Sequence, residues 1–420
     1  MKLAIVGGGV SGLLAAYWLR NHHDVTLFEA NHKLGGHTNT VEVDLGDRTE
    51  HVDTGFIVYN EANYPLFARA LKELGVASQP SEMSFSVSCA THDFEYRGNG
   101  LSLWAQPTNA LRPSHARFLS DIVSFNRSAR SLLGSGADPG DLADFVASGR
   151  WGPQLWEHYV LPLGSAIWSA NPVSFGAIPA KAFARFLDNH GWLRLKRRPQ
   201  WRTVSGGAAN YVEQIARRLG RRARTAAQVL QVRRDELGVE LVTPAGPERF
   251  DGVVLAVHSD QALGMLQSPT AAEREVLGSI AYQPNVATLH TDRRMLPRCR
   301  RAWASWNAYV PEAPSSKVKV TYWMNCLQRF SSSEPLCVSL NREQEVDPEK
   351  VLGHWAYSHP VLDARALAAQ GRWAELQGHR RTWYCGAYWG YGFHEDGAFS
   401  AARVARALGA PVSSFGSGGK

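Results

Sequence analysis

The chain has 420 residues, 44% of them apolar and 20% charged. That balance excludes disordered and fibrous classes and is enough for a large core in roughly two to three domain-sized units. The formal charge is +7, but Lys and Arg are spread along the chain, so the excess reads as solubility before it reads as an anionic partner. Nucleic acid has no motif in its favour beyond that charge.

Five cysteines, Cys89, Cys299, Cys326, Cys337 and Cys385, are scattered, and no pair has CxxC spacing. This predicts neither a disulfide framework nor a zinc site, so no metal is expected and a reducing compartment fits. The N-terminus lacks the apolar stretch and cleavage site of a signal peptide. No run approaches the roughly 18 apolar residues of a membrane span. A cytoplasmic location is the expectation.

Lys2–Val6 predicts a buried parallel strand, Gly7-Gly8-Gly9-Val10-Ser11-Gly12 follows, residues 13–19 predict a helix, and Asp24–Phe28 predicts a second strand ending at Glu29. This is strand, GxGxxG, helix, strand, acid, and each part has a mechanical reason. Gly7 makes the tight turn, Gly9 lets backbone approach a pyrophosphate, and Gly12 lets the helix pack on the strand. The helix start at Val10 and Ser11 offers N–H groups to phosphate. Glu29, followed by Ala30, is placed to accept ribose hydroxyl bonds, which favours FAD or NAD over NADP. A second glycine pair, Gly35-Gly36, with His37 and Thr38, suits a longer ligand. Residues 51–59 then predict a strand passing through Asp53, Gly55 and Phe56.

In these residues the chain resembles the flavin amine oxidase superfamily, which includes monoamine oxidases, phytoene desaturases and protoporphyrinogen oxidases. Within it the chain resembles a bacterial branch with LGGHTNT (34–40) and GFHEDG (392–397) blocks; the SDQAL (259–263) and TYWMN (321–325) runs agree. Most relatives carry Arg or Lys after the glycine pair, where this chain has His37. The resemblance implies an α/β fold: a Rossmann-like FAD-binding domain of the glutathione-reductase type with an inserted α+β substrate domain. The FAD-binding domain is expected over 1–75, 200–285 and 350–412, the substrate domain over 76–199 and 286–349, and a disordered tail over 413–420.

Further along, 60–74 and 114–133 predict helices, 135–140 a loop, and 141–145 the start of another helix. Residues 156–169 and 183–192 are apolar and aromatic, by core packing or as a substrate wall. Residues 205–207 lead into a helix over 210–219. Strands follow at 226–232, 239–242 and 250–258, and the resemblance places backbone near Val229 against adenine. An antiparallel sheet is expected from 286–290, 302–307, 317–323 and 336–340. Finally 382–397 reads as strand, Gly386, aromatic loop and Asp-Gly. A closing helix follows over 398–408, with Ala398 at its start and Ser400-Ala401 where the branch has Ser-Gly.

In that last loop His394, Glu395 and Tyr388 are the candidate catalytic groups, and Asp396 is a candidate FAD contact or helix cap. His394 reads equally as a neutral-pH acid/base or a bonded structural histidine. Tyr388 and Tyr391 read as cavity wall or packing, and His190 is a weaker candidate. No lysine is assigned a role beside the flavin, and Cys385 reads as a buried, inert thiol. The cofactor holds the redox chemistry. The resemblance implies hydride transfer to flavin N5 from an apolar, fatty-acyl or lipid-like substrate, in oxidation or desaturation, because members of this branch accompany cyclopropane-fatty-acid-synthase-like enzymes. Two alternatives stand, an amine oxidase cleaving C–N bonds with peroxide release and an FAD-binding partner subunit of a lipid methyltransferase, with a redox-neutral isomerase as a further minor option. The basic, aromatic-flanked stretch 192–198 reads as a solvated loop or as a peripheral docking point at the inner face of the membrane.

Overall fold

The computed structural model describes residues 1–98, 103–136, 138–193, 199–313 and 315–412. The tail 413–420 and residues 194–198 of the basic stretch lie outside the described residues.

A five-stranded parallel sheet organises one half of the fold, in the order Ala223–Arg224, Asp24–Phe28, Lys2–Val6, Gly252–Leu255, Thr382–Tyr384. Its central strands are apolar on both faces because both faces are covered. Leu3, Ala4, Ile5, Val25, Leu27, Val253, Val254 and Leu255 are all fully buried, and each large side chain contributes about 1.5–3 kcal/mol of burial. One face packs on the helices Val10–Leu19 and His394–Ala407. The other packs on the antiparallel meander Gln231–Arg234, Val239–Thr243, Gly246–Phe250 and on the helix Ala271–Gly278.

A second, seven-stranded sheet runs in the order Val351–Pro360, Tyr282–His290, Cys337–Leu340, Val320–Trp323, Trp306–Val310, Phe85–Cys89, Phe94–Arg97. Its pairs are antiparallel except Trp306–Val310 with Phe85–Cys89. That one parallel pair joins a segment from before the helical region to a strand from after it, a connection long enough to permit parallel entry. A helical lobe covers the sheet, with Pro113–Gly134, Leu161–Trp168 and Ala180–Asn189. The chain is thus an α/β protein organised by these two larger sheets, with three smaller sheets beside them among the described residues.

Several local expectations shift for identifiable reasons. The helix foreseen over 60–74 is Pro65–Leu74, because proline belongs in a first turn and Tyr59–Asn60 pairs with Trp201–Val204. The strand foreseen over 226–232 is confined to Gln231–Arg234, since Ala226 takes a left-handed backbone with φ 48. The strand foreseen over 302–307 is Trp306–Val310, after a short 3₁₀ turn at Arg300–Ala302. Val351–Pro360, which the sequence assigns with the cofactor unit, hydrogen-bonds along Tyr282–His290 in the seven-stranded sheet. The closing helix starts at His394, four residues before Ala398, so His394, Glu395 and Asp396 stand in its first turn rather than in a loop.

Candidate functional site

The glycine-rich turn shows which glycines the protein needs for itself. A Cβ on Gly7, whose φ is 108, would lie 2.6 Å from the Ala256 carbonyl oxygen. One on Gly12 would lie 1.8 Å from the carbonyl oxygen of Gly7. One on Gly9 would meet nothing within 4 Å. Packing therefore requires Gly7 and Gly12, whereas the space beside Gly9 is filled by no part of the chain. The second glycine pair lies against the same spot. Gly35 N–H donates to Gly8 at 2.8 Å, and a Cβ on Gly36 would come 3.1 Å from Gly9 Cα. The helix Val10–Leu19 begins there with no side-chain cap and no acid in its first turn. The N–H groups around Val10 and Ser11 and the positive end of the helix dipole are thus left for an anion. This bare-backbone cradle fits a diphosphate.

Glu29 is buried, and it holds the cradle in shape. Its carboxylate accepts Gly8 N–H at 2.7 Å and Asn31 N–H at 2.8 Å. Oε1 also accepts from Asn31 Nδ2 at 2.9 Å, so the lone pair left for a hydroxyl is on Oε2, the oxygen that Gly8 N–H reaches. Ala30 is exposed beside it. Ala226 and Ala227 N–H bond back to the Asn31 and Glu29 carbonyls, which brings the following Val229 into the core under the sheet.

Past the glycine pair, residues 37–39 run against 54–56. Phe56 N–H donates to the His37 carbonyl at 2.9 Å and Thr54 N–H to that of Asn39 at 2.9 Å. Gly55 is needed here, since a Cβ would lie 2.1 Å from the His37 carbonyl oxygen. The His37 side chain joins His258, His359 and Tyr357, with ring centroids 5.9, 5.4 and 5.0 Å away. Burial and the neighbouring His258 push His37 down to about 4. Burial with His37 and His258 holds His359 down to about 3. Burial lowers His258 as well, so all three imidazoles favour the neutral form at neutral pH.

The closing helix meets the first helix at Gly397, whose Cβ would lie 2.7 Å from Val10 Cγ1. His394 is buried, with Nε2 3.0 Å from Thr38 Oγ1 and 3.3 Å from the Tyr211 hydroxyl. Thr38 and Tyr211 are themselves 2.6 Å apart. The His394 ring stacks on Phe56 at 3.5 Å. Burial, then His37, holds it well below the usual histidine range, so it is a neutral, bonded imidazole. Glu395 accepts the N–H groups of Leu66 and Phe67, both at 3.0 Å, and so caps the helix Pro65–Leu74. Asp396 accepts Phe393 N–H at 2.9 Å and caps its own helix. Gly386 N–H donates to Ser400 Oγ at 3.1 Å, and Ala398 is fully buried behind it. Tyr388 points into the apolar core with Tyr384 and Leu376, on the sheet face away from His394.

The sequence prediction passes over Tyr211, His258, His359 and Tyr357. The alternation of Trp355, Tyr357 and His359 was a readable strand signal, but only pairing with Tyr282–His290 brings it beside His37. His258 stacks on Tyr282 at 4.4 Å, a contact between segments from the two sheets.

Residues 10–340 match the family of flavin containing amine oxidoreductases. The coproporphyrinogen III oxidase of Mycobacterium leprae (strain TN) is 28% identical over 308 residues, which are 66% of this chain and 65% of that protein, just under two thirds of its length. A putrescine oxidase redesigned in its cofactor binding superposes with a TM-score of 0.69 at 13% identity, over 97% of this chain and 98% of that one. A CLA-producing fatty acid isomerase from P. acnes superposes with a TM-score of 0.67 at 16% identity, over 96% and 98%. At such identities the superpositions establish the fold. The family match and the glycine cradle lead to one conclusion: the chain belongs to the flavin-containing amine oxidoreductase family and takes FAD as its cofactor.

Proposed function

We propose that the substrate is apolar and of the fatty-acyl or lipid type, and that the chain catalyses its oxidation or desaturation. The observation that carries this reading is the aromatic wall where the closing segment meets the helical lobe. Phe393 stacks on Phe186 at 5.1 Å, Phe186 on His190 at 3.9 Å, and Trp168 lies 4.4 Å from Phe186 and 6.5 Å from Tyr391. The two carboxylates at that corner, Glu395 and Asp396, are both committed to backbone N–H groups. An acyl chain needs only the apolar surface that these rings offer, while the carboxylates that could pair with a cationic amine are held by the chain itself.

FAD, when bound, supplies the two-electron acceptor. The chain's own part is to hold the cofactor by the backbone of Gly7–Gly12 and Gly35-Gly36, to exclude water with the aromatic wall, and to offer neutral imidazoles. His394 is a positioning residue in this reading, since both its polar contacts are to protein. Glu395 acts as a helix cap and Tyr388 as core, and the candidates facing a substrate become His37, His359 and Tyr391.

The test is anaerobic reduction of the bound flavin, followed by absorbance, with acyl phospholipid, putrescine and coproporphyrinogen offered separately. Bleaching by the acyl lipid, with a product two hydrogens lighter by mass spectrometry, is expected. Bleaching by putrescine or coproporphyrinogen, with none by lipid, overturns the reading.

A further inference from the structure

Cys89 ends the strand Phe85–Cys89, and the connection 90–93 leads to Phe94–Arg97. His92 stands in that connection, exposed. His158 comes from a π-helical turn, Trp156–Val160, in the helical lobe. Such turns are uncommon and frequent at functional sites. One ligand atom from each of Cys89, His92 and His158 falls within 4.8 Å of the others. The Cys89 Sγ to His92 Nδ1 separation is 3.7 Å. A tetrahedral zinc with its usual bond lengths to sulfur and imidazole spans an S···N edge of about 3.6 Å.

His158 supplies the second, independent observation. It is 2% exposed, yet neither ring nitrogen makes a hydrogen bond of good geometry. Its ring lies between Phe94 at 5.1 Å and His92 at 5.3 Å. A buried imidazole with both nitrogens unsatisfied is costly unless something absent from the chain bonds to it. The neighbouring backbone is fixed, because Tyr96 OH donates to the His158 carbonyl at 2.8 Å and Ala90 N–H to that of Val310 at 3.0 Å.

We propose that Cys89, His92 and His158 bind a soft divalent cation of the zinc type, which ties the 85–97 hairpin to the helical lobe. Thiolate with imidazole is the donor set such a cation prefers. The metal displaces the thiol proton to solvent, forms one metal–sulfur and two metal–nitrogen bonds, and leaves a fourth position to water on the side where His92 is exposed. No electron is transferred. The site is separate from the cofactor cleft: Val351–Pro360, beside His37, is at one edge of the seven-stranded sheet and Phe85–Cys89 is next to the other, about 24 Å apart at ordinary strand spacing.

The experiment uses the full-length holoprotein, stripped with chelator, incubated with Zn²⁺ and gel-filtered, with zinc and flavin contents measured together. Co²⁺ in place of Zn²⁺ gives tetrahedral ligand-field bands to the red of the flavin absorption. One ion retained per chain is expected in the unsubstituted protein, with loss of the ion and of the cobalt bands in Cys89→Ser and in His92→Ala at unchanged flavin content. Because His92 is exposed, its variant tests the site even where Cys89→Ser misfolds. An unsubstituted protein that retains no zinc, or a His92→Ala protein that retains it undiminished with unchanged cobalt bands, overturns the proposal.

Discussion

His394 and His158 are both buried, and their surroundings differ in one respect. The Nε2 of His394 has two hydroxyl neighbours, from Thr38 and Tyr211. His158 lies among rings, with no hydrogen bond of good geometry at either nitrogen. In the cofactor half the polar side chains nearest the cradle are engaged by the chain itself: Glu29 with Gly8 and Asn31, Glu395 with Leu66 and Phe67, Asp396 with Phe393. What is left open there is space beside Gly9. Near His158 it is the bonding that is left open. A large anionic ligand is thus marked by bare backbone, a small cationic one by unsatisfied donor atoms.

The largest effect separates two glycines of the cradle. Gly9→Ala places its Cβ in open space at φ −75, so the apoprotein melts at the unsubstituted temperature while the purified protein is colourless. Gly12→Ala drives a Cβ into the Gly7 carbonyl, so the apoprotein itself loses about 1–3 kcal/mol or more of stability. Calorimetry of both apoproteins with flavin absorbance of both holoproteins checks the split. Equal melting temperatures for the two variants would break the distinction between glycines kept for ligand and glycines kept for packing.

A smaller effect makes His394 resemble His158. Thr38→Val removes the hydroxyl shared by His394 and Tyr211 and leaves those groups only each other. A loss of about 1–3 kcal/mol in denaturant unfolding is expected, and a neutral result would show that the network adds nothing.

The smallest effect concerns Glu395. Burial pushes it up to about 8, against the pull of the Leu66 and Phe67 N–H groups, and Asp396 adds to the rise. Between about 4.5, its ordinary value, and 8 the folded chain keeps a proton that the unfolded chain has released. Stability therefore falls as pH rises through that window. Glu395→Gln cannot ionise, so the unsubstituted protein should lose about 1 kcal/mol relative to it from acid to alkaline pH, the half-buried carboxylate being partly screened by water. Denaturant melts at pH 5 and 9 check the sign.

Much of the cofactor half was legible because its constraints are local. Three glycines, a helix start and Glu29 fall within one strand–helix–strand unit, where spacing along the chain is nearly spacing in the fold. The half built on the seven-stranded sheet was legible only as strands and helices. Its one parallel pair, the entry of Val351–Pro360 into the sheet, and the meeting of His37 with His258 and His359 depend on partners more than two hundred residues away for His37. The Cys89–His92 spacing was visible too, but two ligands are not a site, and the third stands on a helical turn 66 residues further on.

The sequence by itself determined the Rossmann-like start, the glycine cradle and hence the class of cofactor, because a backbone free of Cβ at set intervals has one main physical use. Only the tertiary structure decided what the acidic and histidine side chains do. Glu395 and Asp396 became helix caps when the closing helix began at His394. Tyr388 became core, and His394 a bonded scaffold group. A titratable side chain takes its role from what packs against it, and that is set by contacts between elements that spacing along the chain does not encode.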